Sequence, residues 1–331
     1  MAFENIFTHG NLVDVTVGIW TAERKLQPED LGLKGVSEAF SLGHKALVPT
    51  GVIKRFKHLD NVARTLLIKY SFAFEFGSAR FVPKKRFVEF AAEMDKTITE
   101  FNREADDFAA NYDRYRLQMR QPFVKAAHEA YDRLKLLKGF TKDENSFVNE
   151  YLASLEKLYP KVSEIRNKYH MEYTVFQAAL PDLSQASYAD IAEEGEKIKM
   201  MQEAYRKSLS RKVESFVERI TKEQREKAQV VLNRFSDNIR QGKKVYASSM
   251  SSLNSMIENY EKMDIIGDTV FLTVLKNFKD RLLNNYTAEQ LRSDESLCKM
   301  ILDEISVMIS TASDQAVIAE LANQYRQKIN L

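Results

Sequence analysis

Between residues 13 and 20 the chain alternates: Val13, Val15, Val17 and Ile19 are separated by Asp14, Thr16 and Gly18, and Trp20 follows. A period of two marks a half-buried strand, and it sets Trp20 with the polar positions. A second alternation, Phe72, Phe74 and Phe76, runs into Gly77-Ser78 and leaves through Phe81, which predicts a hairpin or a pair of short strands about a turn. Between the two, Val52, Ile53, Phe56, Leu59, Val62, Ala63, Leu66 and Leu67 recur at helical spacing. Residues 1–82 are expected to form a small mixed α+β head.

Beyond the head the period is that of long helices. Pro83 occupies a place that a first helical turn accepts. Phe87, Ala91, Met94, Ile98, Phe101, Ala105, Phe108, Tyr112, Tyr115 and Met119 then advance by alternate steps of four and three. A helix over 84–119 would be roughly 54 Å long, and so sustained a seam predicts coiled-coil packing. Its aromatics and alanines differ from the Leu/Ile seam of a parallel dimer. The expected cover is an antiparallel helix of the same chain, drawn from the proline-free stretch 188–263.

Further helices have recognisable ends. Thr141 with Glu144 reads as a capping box before Phe147, Tyr151, Leu155 and Leu158. Val162, Ile165, Tyr169, Tyr173 and Phe176 continue a helical spacing towards Pro181. From Ile191 through Ile198, Met201, Tyr205, Leu209, Val213, Phe216 and Ile220 to Val231, Phe235 and Ile239 the pattern describes one very long helix, or two with Thr221 and Gln224 capping the second. Gly242 ends it. In the corner DIIGDTVFL, Gly267 suits a helix exit and Asp268 the cap of the next helix. Thr287 with Gln290, and Ser293, start the last helices.

Seven of the eleven glycines lie at or before Gly77 and every proline at or before Pro181. This separates an irregular start from a helical remainder. The fold expected is mainly α: an elongated antiparallel long-helix or coiled-coil bundle over 83–331, carrying the mixed head over 1–82.

Composition narrows the function more than it defines it. The 49 Lys and Arg against 47 Asp and Glu leave a net charge of +2, so binding nucleic acid or anionic lipid would require a local patch. A single cysteine, Cys298, rules out an internal disulfide framework. The start MAFENIFTHG lacks signal-peptide character and no apolar run could span a bilayer, so a cytoplasmic protein that does not enter a membrane is expected. P-loop, dinucleotide-fold, zincin, CxxC and nucleophile-elbow motifs are all missing. PDLSQASYADIAEEGEKIK holds an acid after a proline but no acid two residues before Lys197 or Lys199, as a nuclease core would need. His9, His44, His58, His128 and His170 are scattered without the acidic partners of helical metal ligands. No catalytic residue, cofactor or metal site is expected.

One cluster stands above this background. Lys84, Lys85 and Arg86 crowd a helix start, where the macrodipole favours anions. With Arg80 and the head residues Lys54, Arg55 and Lys57 they form a candidate anion or nucleic-acid contact.

GIWTAERKL, SLGHKALVP and FEFGSARFVP leading into a long helix that ends YDRYRLQM, together with the corner DIIGDTVFL, resemble a family of bacterial and phage proteins described only as a domain of unknown function. Some of its members are encoded near a MoxR/CbbQ-type AAA+ ATPase and a von Willebrand factor A protein. The resemblance implies an accessory or adaptor role, possible in a phage and so in the bacterial host cytosol, and transfers no catalytic residue. The leading expectation is a non-enzymatic scaffold for protein partners, the chain itself among them; the alternative is nucleic-acid binding through the basic head. Trp20 reads as architectural, covering the edge of a small sheet.

Overall fold

The computed structural model describes residues 2–33, 35–37, 39, 41–74, 77–176 and 192–329. Helix dominates. In chain order the elements are α1 (Ala2–His9), β1 (Gly10–Gly18), β2 (Glu23–Lys25), β3 (His44–Ala46), α2 (Thr50–Tyr70), β4 (Phe72–Ala73), β5 (Arg80–Pro83), α3 (Lys84–Ala110), α4 (Tyr112–Leu134), α5 (Glu144–Glu156), α6 (Val162–Ile165) and β6 (His170–Phe176). There follow α7 (Ala192–Arg240), α8 (Ala247–Met263), α9 (Thr269–Phe278), α10 (Ala288–Ser293), α11 (Glu295–Ser313) and α12 (Gln315–Ile329). A four-stranded sheet has the order β4-β5-β1-β6, and β2 pairs with β3 in a separate ribbon. The chain divides into two compact units, one of Met1–Asp14, Ile68–Phe90 and Val175–Leu331, the other of Val15–Leu67 and Ala91–Thr174. Residues 1–82 contribute to both.

In the first unit β5 pairs antiparallel with β1, Leu12 opposite Phe81, and with β4, Phe81 opposite Phe72. The phenylalanine alternation thus becomes the expected pair of short strands, turning at Gly77 with φ 60°; Phe76 lies outside the described residues. Phe72, Phe74 and Phe81 meet Phe216 of α7 at ring-centroid distances of 6.4, 4.6 and 5.4 Å. β1 departs from simple alternation, because Leu12 and Val13 are both buried.

α7 is one helix of 49 residues, about 74 Å at 1.5 Å per residue. The possible break at Thr221 does not occur. The Thr221 hydroxyl donates to the Val217 carbonyl at 2.9 Å, inside the helix, and the Gln224 amide donates to the Met263 carbonyl at 2.8 Å. Neither is a cap. The side chains of Ile191, Ile198, Met201, Tyr205 and Leu209 lie outside the described residues, as does the stretch 177–191. The second half of α7 packs with α8, α9 and α11 about Leu232, Leu253, Phe271, Leu275, Ile301 and Ile305.

The corner before α9 forms as its residues imply. Asp264 accepts hydrogen bonds from the backbone N–H groups of Ile266, Gly267 and Asp268, Gly267 turns with φ 82°, and Asp268 caps α9 by accepting from Phe271 at 3.2 Å. Ile265 is buried against the phenylalanine cluster. Thr287 and Gln290 form the expected capping box of α10, whereas Asp294, not Ser293, caps α11.

The second unit corrects the expectations for the seam. The seam helix is not continuous to residue 119: it stops at Ala110, and α4 starts at Tyr112. Asn111 breaks it, its backbone N–H shared between the carbonyls of Asp107 and Phe108 and its amide donating to the Asp107 carbonyl at 2.8 Å. Within this unit, other elements cover the seam. Phe56 of α2 lies 5.3 Å from Phe101, 6.0 Å from Phe108 and 4.4 Å from Tyr169, and Trp20 contacts Phe108 and Tyr112. Rings from several elements fill the space, and nothing among the described residues marks a coiled coil.

The helical spacing from Val162 to Phe176 does not hold either. Only Val162–Ile165 is α-helical, a 3₁₀ turn covers Arg166–Lys168, and His170–Phe176 is strand β6. Met171, Tyr173 and Val175 alternate while Tyr169, Tyr173 and Phe176 keep a helical spacing, and sheet pairing decides between the two readings.

Candidate functional site

The second unit contains a helical hairpin. α5 is capped by Asp143, two residues after the expected Thr141: the Asp143 carboxylate accepts from the Ser146 N–H at 3.0 Å. α4 and α5 run antiparallel, as cross-pairs at both ends require: His128 Nδ1 stands 2.7 Å from Glu144 Oε1, while Arg116 pairs with Glu156. Ala127, Ala130 and Leu134 of α4 are buried, as are Val148, Tyr151 and Leu155 of α5.

Towards the start of α4 the two helices leave an open groove of about 490 Å³. Leu117, Phe123 and Leu152 supply apolar walls, and Arg116, Arg120 and Asn149 the polar ones. Leu117 is 68% exposed. The Arg116 guanidinium donates to Asp113 at 3.0 Å, pairs with Glu156, and faces the rings of Tyr112 and Tyr159 at 5.6 and 5.1 Å.

The nearby phenols are held protonated. Burial, above all, pushes Tyr112 up to about 12, and its hydroxyl donates to the Pro160 carbonyl at 3.1 Å. Burial likewise raises Tyr159, whose hydroxyl donates to the Leu47 carbonyl at 2.8 Å. These hydroxyls are committed to structure. The groove offers apolar contact and a guanidinium, which suits binding.

The seven cations singled out in the sequence fall into two sets. In the second unit Lys54, Arg55 and Lys57 are exposed on α2, Arg55 reaching Glu104 at 3.3 Å and Lys57 reaching Glu23 at 3.2 Å. In the first unit Arg80 donates to the Ser71 hydroxyl at 2.7 Å; burial lowers its pKa and Arg219 lowers it further, while Glu223 opposes. Lys84 and Lys85 are exposed at the start of α3. Arg86 turns inward instead: it is 5% exposed, donates to Glu89 at 2.6 Å and lies 4.4 Å from the Tyr70 ring.

Of the seam residues, Met94, Phe101, Ala105, Phe108 and Tyr112 are buried, and Phe87, Ala91, Ile98 and Tyr115 are half-buried. Phe90 and Thr97 join the buried face, so the stripe is rotated slightly at its start. Trp20 lies beyond the end of β1, its ring edge-on to Tyr112 and its carbonyl accepting from the Tyr169 hydroxyl at 3.0 Å. The residues lining the groove were missed in the sequence. Their signal is the spacing of Arg116 and Arg120, one turn apart beside Leu117, which attention to the aromatic stripe obscures.

Among the described residues no group of three or more His, Cys, Asp or Glu could hold a metal ion, and no helix is long and apolar enough to cross a membrane. Cys298 donates to the Leu291 carbonyl and is half-buried against the α7–α11 core.

Fold and groove together define a mainly helical protein with a small four-stranded sheet and an open groove on a helical hairpin. The chain belongs to the family described as "Protein of unknown function (DUF3150)", whose model matches residues 10–297. No curated protein and no solved structure matches it.

Proposed function

We propose that the protein is a non-enzymatic adaptor that holds a protein partner on a helical frame. The observation that carries this reading is the groove between α4 and α5, where Leu117 stays largely exposed beside Arg116 and Arg120. Apolar side chains rimmed by arginine are the composition of an interface centre. The first partner proposed is a MoxR/CbbQ-type AAA+ ATPase, because the head and corner motifs resemble a family with members encoded beside one. The finer expectation of a long-helix particle also belongs to this reading. α7 alone sets a lower bound of about 74 Å on the maximum dimension in small-angle scattering.

The test is sedimentation of the purified chain with such an ATPase from the same cell, together with affinity purification of the chain from that cell. A co-sedimenting complex with an altered ATPase rate is the expected result. No complex with the ATPase, and no protein recovered in stoichiometric amount, would overturn the adaptor reading.

A further inference from the structure

A second groove lies wholly within the first unit, between α7 and α8, and has a volume of about 440 Å³, the size of a small-molecule site. Its lining runs along α8 from Ser251 to Met263, about 18 Å at 1.5 Å per residue, and along α7 from Gln224 to Val231, with Lys69 and Phe72 completing it. Ala228, Ser252 and Ser255 are too short to fill the space between the helices. Phe72, Val231, Met256 and Met263 give it apolar surface, and methionine adapts to the shape of what it touches.

The charge on this lining has one sign. Lys69 and Lys227 line the groove, and among the described residues no carboxylate does. Glu223 accepts from Lys227 at 2.5 Å from outside the lining, and counting it gives two positive charges against one negative. An ammonium has three donors, so Lys227 keeps two beyond that bond. Other donors of the lining are engaged within the protein: the Tyr260 hydroxyl with Asp268 at 2.6 Å, the Gln224 amide with the Met263 carbonyl at 2.8 Å and the Ser252 hydroxyl with the Ser248 carbonyl at 2.8 Å. An entering ligand therefore meets ammonium groups beside a long apolar trough.

We propose that the α7–α8 groove binds a small amphiphilic anion, an aliphatic chain ending in a carboxylate, with the chain along Val231 and Met256 and the carboxylate on Lys227. A long, narrow trough suits a chain better than a compact ring. The chain contributes most of the affinity through burial of its methylenes. The pair with Lys227, at the solvent edge, contributes discrimination and salt dependence. This binding site is independent of the adaptor reading.

The experiment is calorimetry of the full chain with three ten-carbon probes below their micelle concentrations: decanoate, decanol and decyltrimethylammonium. Decanoate is expected to bind one to one, about three- to fivefold more tightly than decanol, the scale of one ion pair at a solvent edge, and the cation more weakly than either. High salt should narrow these margins. Lys227→Glu should place the cation ahead of decanoate and leave decanol unchanged. Lys227 is exposed and its pair with Glu223 spans one helical turn, so the ligand-free melting temperature should stay at the wild-type value. Ser255→Phe, at an exposed position of α8, should fill the groove and weaken decanoate and decanol alike. Equal affinities for the three probes, no saturable binding, many decanoate molecules per chain, or a Lys227→Glu chain with wild-type preference would each overturn the proposal. So would co-sedimentation of the chain with anionic lipid vesicles that Lys227→Glu abolishes, because the groove would then face a membrane surface.

Discussion

Arg225 and Asp268 form the one fully buried ion pair among the described pairs, with side chains 1% and 3% exposed. The contact is bidentate, Nε to Oδ2 at 2.7 Å and Nη2 to Oδ1 at 2.9 Å. Tyr260 donates to Asp268 Oδ2 at 2.6 Å, and Arg225 Nη1 donates to the Thr311 carbonyl at 2.9 Å. One cluster thus ties α7, α8, the corner before α9 and α11. Breaking one side of such a pair strands the other charge in a low dielectric, so Asp268→Asn should cost about 3–5 kcal/mol in urea unfolding. An exposed pair such as Lys276–Glu261 should contribute under about 1 kcal/mol. Burial pushes the Asp268 carboxyl upward, but hydrogen bonds from Arg225 and Tyr260 outweigh it and hold the group below the usual carboxylate range. Its stabilising share is therefore complete above the unfolded carboxylate pKa, about 4, and is lost as pH falls through the folded value. Acid titration of stability in Asp268→Asn should lack this part of the decline; an acid limb identical to wild type would refute the assignment.

At the scale of elements, the aromatic stripe of α3 and α4 depends on Phe56. That one ring of α2 touches Phe101, Phe108 and Tyr169, and all four are buried. Phe56→Ala should destabilise by about 3–5 kcal/mol, the transfer term plus the cavity left behind. Phe101→Asp should cost several kcal/mol by burying an unpaired charge. Denaturant midpoints measure both. A folded Phe101→Asp chain with an unchanged midpoint would show that the stripe is not held in this way. The stripe was readable in the sequence because steps of four and three keep side chains on one helical face. Its cover was not, since Phe56, Trp20 and Tyr169 are separated by long stretches of chain.

At the scale of the molecule, neither compact unit is a continuous segment. In the first, α7 buries Val213, Phe216, Val217 and Ile220 against Phe72, Phe74 and Phe81, while further along it packs against α8, α9 and α11. A fragment of residues 200–331 would keep the second set of contacts and lose the first. It should remain helical by circular dichroism but bind a hydrophobic dye and self-associate, and Phe216→Asp within the fragment should suppress both. A monomeric fragment that binds no dye would show that the phenylalanine cluster is dispensable.

Helix-rich content, the short phenylalanine strands, the caps at Asp268 and Thr287, the exit at Gly242 and the turn at Gly267 are all legible in the amino-acid sequence by itself. Each depends on residues within one or two turns of one another, where side-chain geometry and backbone preference decide locally. Four features belong to the tertiary structure alone: the unbroken passage of α7 through Thr221, the strand at 170–176, the inward turn of Arg86 and the groove between α4 and α5. In each the local signal is ambiguous. A Thr–Gln pair can cap a helix or sit within one, HMEYTVF fits two periods, and an arginine at a helix start can face water or the Tyr70 ring. Contacts from other stretches of chain, Met263 on Gln224 and the Tyr70 ring on Arg86, select one outcome because burying a polar group without a partner costs more than any local propensity contributes.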